Sequence, residues 1–109
     1  MEQLFLEVFM VDSNADLLLE YLVRGIMTLQ TPEECKAFLY DLCTESELQE
    51  MSRRLLAAKM LRNNRIYTDI ATETGLSTAT ISRVNRCIKY GSDGGYVTVL
   101  ERLERKAHR

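Results

Sequence analysis

Apolar positions along this chain recur every three or four residues, in successive runs, and seldom alternate, which is the pattern of helices rather than strands. From Asp16 to Leu29, Leu18, Leu22 and Ile26 recur at helical spacing, with Leu19, Tyr21, Val23 and Met27 beside them. A helix so apolar around its circumference needs covering on more than one side. Asp12, Ser13 and Asn14 supply capping chemistry just before it. Thr31-Pro32-Glu33-Glu34 predicts the next start: Thr31 caps, Pro32 takes the first helical position where no N–H is needed, and Glu34 completes a reciprocal box. Behind it Cys35, Phe38, Leu39 and Leu42 form one stripe. Thr44-Glu45-Ser46-Glu47 repeats the box, and its helix is predicted to run to about Arg62 with Leu48, Met51, Leu55 and Ala58 inward, ended by Asn63-Asn64. A last helix spans Tyr96 to Lys106, with Val99, Leu100 and Leu103 buried, after a loop punctuated by Gly91, Gly94 and Gly95. With the pair described next, the prediction is an all-α protein of six helices. Residues 1–14 read as an N-terminal extension, whose first eleven (MEQLFLEVFMV) are apolar, and 15–109 as a single helical domain.

The stretch Tyr67 to Lys89 carries the most specific pattern, that of a helix-turn-helix over about 67–89. A short helix holds Ile70 and Ala71 inward and stops at Gly75, which can take the positive φ of a tight turn. Ala71 is small enough for two backbones to cross. Ser77 or Thr78 caps a second helix, on which Ile81 and Val84 lie three apart on one face. An ordinary helical hairpin accounts for any one of these slots, but agreement of five at once favours DNA binding. The outer face then shows Thr78, Ala79, Thr80, Ser82, Arg83 and Arg86, with no acid among them. Ile66, in contrast, stands where a capping side chain is expected before the first helix of the pair.

Charge sharpens this picture. The 109 residues carry a formal net charge of only −2. Residues 1–52 hold two basic and eleven acidic side chains, a net −9, whereas residues 53–109 hold twelve and five, a net +7. The basic half is the half with the helix-turn-helix, as expected of a nucleic-acid-binding segment. No apolar run is long enough to span a bilayer, and the apolar N-terminus lacks the basic flank of a signal peptide. The expectation is a soluble, cytoplasmic protein. Cys35, Cys43 and Cys87 form no metal-ligand spacing and are expected to be reduced and buried, with no metal and no cofactor bound. The one histidine, His108, is penultimate, so nucleophilic or acid–base chemistry has no partner to build on and an enzyme is not expected.

Four segments carry a resemblance: ECKAFLYDLCTESEL (34–48), RRLLAAKMLRNN (53–64), ETGLSTATISRVNRCIKYG (73–91) and VLERL (99–103). Together they look like the tryptophan-repressor superfamily, and more closely its TrpR-related YerC/YecD branch, over about residues 17–104. The resemblance implies a six-helix TrpR-like fold, an intertwined homodimer, and a transcriptional regulator, a repressor, bound to double-stranded operator DNA. It implies that Thr78, Ala79, Thr80 and Ser82 lie where the superfamily reads base edges, with Thr68 near the DNA backbone. Ser77, Arg83 and Arg86 complete the candidate DNA-binding set, the two arginines as phosphate or ligand contacts.

In the tryptophan repressors the ligand sits between two arginines, matched here by Arg54 and Arg83, with its indole over a glycine that follows the second. Val84 stands at that glycine, and Cys87 replaces a serine that helps hold the ligand's amino group. A branched valine fills the space of the indole and a thiol is a poor hydrogen-bond partner, so regulation is expected not to depend on tryptophan. Two alternatives stand beside a ligand-free repressor. One is a regulator that responds to an unidentified small-molecule effector near Arg54 and Arg83. The other is a helical dimer acting as a protein-interaction module through its acidic N-terminal half.

Overall fold

The computed structural model describes residues 14–107, and the expectations for residues 1–13 and for His108 lie outside them. Six helices and no strand occur among the described residues: α1 (Ala15–Ile26), α2 (Pro32–Leu42), α3 (Glu45–Arg62), α4 (Tyr67–Thr74), α5 (Thr78–Tyr90) and α6 (Gly95–Ala107). None is long and apolar enough to cross a membrane. The helices group into two compact units, one ending at Cys43 and one starting at Thr44.

Local chemistry sets the starts. Asn14 accepts from the amides of Asp16 and Leu17, and Thr31 from that of Glu34. Glu34 does not close a box on Thr31 as expected; its carboxylate accepts from the Gln30 amide at 2.8 Å, one residue further back. At α3 the box is complete: Thr44 Oγ1 accepts from the Glu47 amide at 3.1 Å, and the Glu47 carboxylate accepts from the Thr44 amide at 2.8 Å. That bond to the backbone, and then the one to the Thr44 side chain, hold the Glu47 carboxyl below the usual carboxylate range. At the other end Asn64 takes a left-handed φ of 61°, which asparagine tolerates better than most residues, and the chain turns toward α4.

The second unit is built on α3. Ala57, Met60, Ile70, Leu76 and Ile81 form one buried cluster, with Leu61, Tyr67 and Ala71 packed against it. Ala58, Val84 and Leu100 form a second, joined by Leu61, Ile88 and Tyr96. Both alanines are fully buried. Their missing side-chain bulk lets neighbouring helices approach the α3 backbone closely. Ile70 and Ile81, also fully buried, fill the space between.

Four expected core positions are not core here. Met51, Leu55, Val99 and Leu103 are all exposed, while Ala57 and Met60, not singled out by periodicity, are buried. The reason is geometric. Helix α3 is 18 residues long, and its core contacts concentrate near its C-terminal end, so the same stripe nearer its N-terminus lies outside both buried clusters. The cysteines also depart from expectation: Cys35 and Cys43 are half-buried and Cys87 is exposed, all three as free thiols.

The first unit has no buried residue in either helix. Leu18, Leu19, Tyr21, Val23 and Ile26 are exposed on α1, as is Met27 just after it. Leu18, Tyr21 and Leu22 of α1 and Phe38 and Leu42 of α2 line a groove of about 550 Å³. The width of the α1 stripe thus leaves most of it uncovered among the described residues.

Truncating Ile81 to alanine is expected to destabilise the fold by about 2–5 kcal/mol, through lost burial and the cavity left behind; urea unfolding followed by circular dichroism measures it. Acidification gives a second check. Because the folded pKa of Glu47 is depressed, its contribution is present above the unfolded pKa and is lost as pH falls through the folded one. The wild type is therefore expected to lose thermal stability between about pH 5 and pH 3 more steeply than Glu47→Gln; parallel slopes would remove Glu47 from the account.

Candidate nucleic-acid interface

Helices α4 and α5 are joined by Gly75, Leu76 and Ser77, and the turn is determined residue by residue. Gly75 adopts φ 74° and ψ 7°, and its amide donates to the Ala71 carbonyl at 2.9 Å. A side chain at that φ is strained, so glycine sets the exit angle of α4. Leu76 folds into the core beneath the turn. Thr74, buried and polar, secures both sides of it: its hydroxyl donates to the Ile70 carbonyl at 2.6 Å and accepts from the Leu76 amide at 3.2 Å. Composition and spacing did not single out Thr74; the available signal was a hydroxyl residue directly before the turn glycine.

Ser77 caps α5, accepting from the Thr80 amide at 3.1 Å. With Ile81 fully buried and Val84 nearly so, the opposite face of α5 is turned outward. Thr78, Ala79, Arg83 and Arg86 are exposed, Ser82 and Thr80 half-buried, and Thr68 is exposed in the first turn of α4. Helix α5 carries Arg83, Arg86 and Lys89 and no acidic residue. Its outer surface is therefore cationic at one end and lined by small hydroxyl and methyl groups at the other.

Thr80 and Arg83 border a cleft of about 180 Å³ that they line together with Glu50 and Arg54 of α3, Val84 and Cys87 of α5, and Tyr96 of α6. Arg54 and Arg83 thus come to one place, and neither has a carboxylate within 4 Å among the described residues. Val84 belongs at once to the cleft wall and to the buried cluster with Ala58 and Leu100. Glu50 and Tyr96 were not anticipated in the cleft, because they come from separate helices and share no motif with α5.

The start of α4 is different in kind. Ile66 provides no side-chain cap, so the first amides of α4 have no capping acceptor. Arg65 lies just before this turn and pairs with Glu73 at 2.7 Å and with Asp69 at 3.7 Å. Glu73, by hydrogen bond and charge, raises the Arg65 pKa further above its already high value. On the surface such pairs are screened by water and contribute little to stability.

Comparison with known proteins places these features in a family. The chain matches the model of the Trp repressor protein family over residues 18–104. The uncharacterized protein YerC of Bacillus subtilis (strain 168) is 49% identical over 86 residues, 79% of this chain and 82% of YerC. A TrpR-like protein from Eubacterium eligens ATCC 27750 has a crystal structure similar to this one, with TM-score 0.74 and 49% identity over 80% of this chain and 89% of that one. A candidate Trp repressor from Staphylococcus aureus gives TM-score 0.74 and 45% identity, over 80% of this chain and 86% of its own.

Replacing Thr74 by valine keeps the shape but leaves the buried Leu76 amide without its acceptor. The expected loss is about 1–3 kcal/mol of unfolding free energy. A Thr74→Val protein as stable as the wild type in urea would mean that the hydroxyl does not hold the turn.

Proposed function

Since this chain belongs to the Trp repressor family, we propose that it is a sequence-specific DNA-binding transcriptional regulator, a repressor acting as a homodimer and without tryptophan. The observation that carries this reading is α5: Ile81 and Val84 anchor one face in the core, while the opposite face offers Thr78, Ala79, Arg83 and Arg86 with no acid. Helices α4 and α5 act as a helix-turn-helix, with α5 entering the major groove. Threonine and alanine methyls at 78 and 79 suit thymine methyls, hydroxyls at 78, 80 and 82 suit base or phosphate oxygens, and Arg83 and Arg86 neutralise phosphates. The uncapped start of α4 fits the same reading. A DNA phosphate oxygen supplies the acceptor that Ile66 does not, beside Thr68.

Homodimerisation is supported by the first unit, whose helices bury no residue and whose apolar groove needs a cover. A second copy provides one of matching chemistry, so that residues 15–109 complete a single domain only when paired. Two copies of α5 then address successive turns of the major groove, roughly 34 Å apart.

Independence from tryptophan is supported by Val84, which is 2% exposed and shared between the core and the cleft wall. An indole needs the volume this side chain occupies. The cleft itself favours a second reading, a regulator that responds to a small effector. Its Arg54 and Arg83 suit an anionic group, and Glu50 beside them suits a cationic one on the same molecule.

Selection from randomised duplex DNA at two salt concentrations, with and without L-tryptophan, tests the main reading. A palindromic motif is expected, identical in both conditions. Arg86→Ala is expected to weaken binding evenly across sequences and to reduce the salt-dependence slope by about 1. A motif recovered only with a metabolite extract present favours the effector reading; motif-free binding overturns sequence-specific regulation. Sedimentation equilibrium is expected to give the mass of two chains, and Phe38→Asp to shift it toward one. Stoichiometric heat on titration with L-tryptophan would sink tryptophan independence.

A further inference from the structure

We propose that Ser77 is a positioning residue for base recognition: through its hydrogen bond to Thr80 it leaves the pair with one fixed hydroxyl proton, donated to an acceptor on a base edge. The inference rests on the DNA-binding reading above. It starts from two contacts between the same residues. The Thr80 amide donates to Ser77 Oγ at 3.1 Å, and Ser77 Oγ donates to Thr80 Oγ1 at 3.0 Å.

The second contact is not needed for capping. A cap uses only a lone pair of the serine oxygen. The two threonine-capped helices hold a glutamate at the third position of the first turn: Glu34 on α2 and Glu47 on α3, each reaching back to a backbone amide. On α5 that position holds Thr80, and its hydroxyl meets the cap side chain instead of the backbone. A carboxylate there would stand at the end of the helix nearest the phosphates. A hydroxyl keeps the cap ordered without that charge.

Counting protons gives the consequence. Each hydroxyl has one proton and two lone pairs. One proton lies between the two oxygens, so one remains for a third group, and it cannot point back along the bond already made. With Ser77 as donor, the free proton is that of Thr80. Threonine in a helix divides between two side-chain rotamers, and the contact with Ser77 selects one. A donor of fixed direction in the first turn of α5 suits guanine N7 or O6, adenine N7 or thymine O4, and it does not suit the exocyclic amino group of cytosine or adenine.

The test is the base preference at each operator position, obtained by selection from randomised duplexes for the wild type, Thr80→Val, Thr80→Ser and Ser77→Gly. Glycine at a cap costs only a few tenths of a kcal/mol, and circular dichroism confirms the folding of each variant. In the wild type, one position per half-site is expected to depend on this donor by about three- to tenfold. Thr80→Val is expected to abolish the preference there and Thr80→Ser to retain it. Ser77→Gly is expected to weaken it at the same position and leave the others unchanged. The double variant Ser77→Gly/Thr80→Val is expected to lose no more than Thr80→Val. Even loss of affinity in Ser77→Gly with every preference intact would make Ser77 a cap and nothing more. Unchanged preferences in Thr80→Val would direct the hydroxyl elsewhere, into the cleft beside Arg83. Either result overturns the inference while the regulator reading stands. A wild type that selects no motif at all overturns the regulator reading itself.

Discussion

The second unit depends on the complete burial of two adjacent alanines, Ala57 and Ala58, on α3. Adjacent residues on a helix point about 100° apart, so burying both obliges α3 to have neighbours on two sides. The Ala57 side receives Ile70, Leu76 and Ile81, and the Ala58 side receives Val84 and Leu100. Helix α5 contributes to both clusters, through Ile81 and Val84. Its rotation about its own axis is fixed by two anchors three residues apart, and that rotation decides which side chains are offered to solvent. The candidate interface is therefore a consequence of the core, not an addition to it.

The first unit obeys the opposite rule. Its two helices are well capped and richly apolar yet bury nothing. Capping chemistry and helical propensity suffice to form α1 and α2, but they give no reason for so many exposed leucines and aromatics. A patch of this breadth is unusual on a protein that works alone. In the proposed reading, one arrangement of two copies covers this patch and matches a two-fold operator, which ties the composition of the acidic half to the function proposed for the basic one.

Much of the helical architecture could be read directly. Thr31, Thr44 and Ser77 mark starts with oxygen acceptors, Pro32 occupies the one helical slot that tolerates it, and Gly75 marks a turn that requires positive φ. These signals act over three or four residues and need no distant partner. The missing cap at Ile66 was equally legible. Less so were Thr74, whose hydroxyl matters only because Leu76 is buried beside it, and Glu50 and Tyr96, which reach the Arg54–Arg83 cleft from other helices. Met51 and Leu55 were misplaced for the complementary reason: periodicity identifies a stripe but not how much of its length is covered.

The sequence by itself determined where helices start, where they stop, and which residues share a face, because capping, φ preference and the 3.6-residue repeat are local. It also placed Ile70, Ile81 and Val84 inside, since their spacing allowed one common side. Tertiary structure alone decided that α3 turns Ala57 and Met60, rather than Met51 and Leu55, to its neighbours beside Ala58, and that Thr80 and Arg83 border a cleft. Each of these depends on the angle at which one helix meets another, and that angle is set by the fit of side chains far apart in the chain.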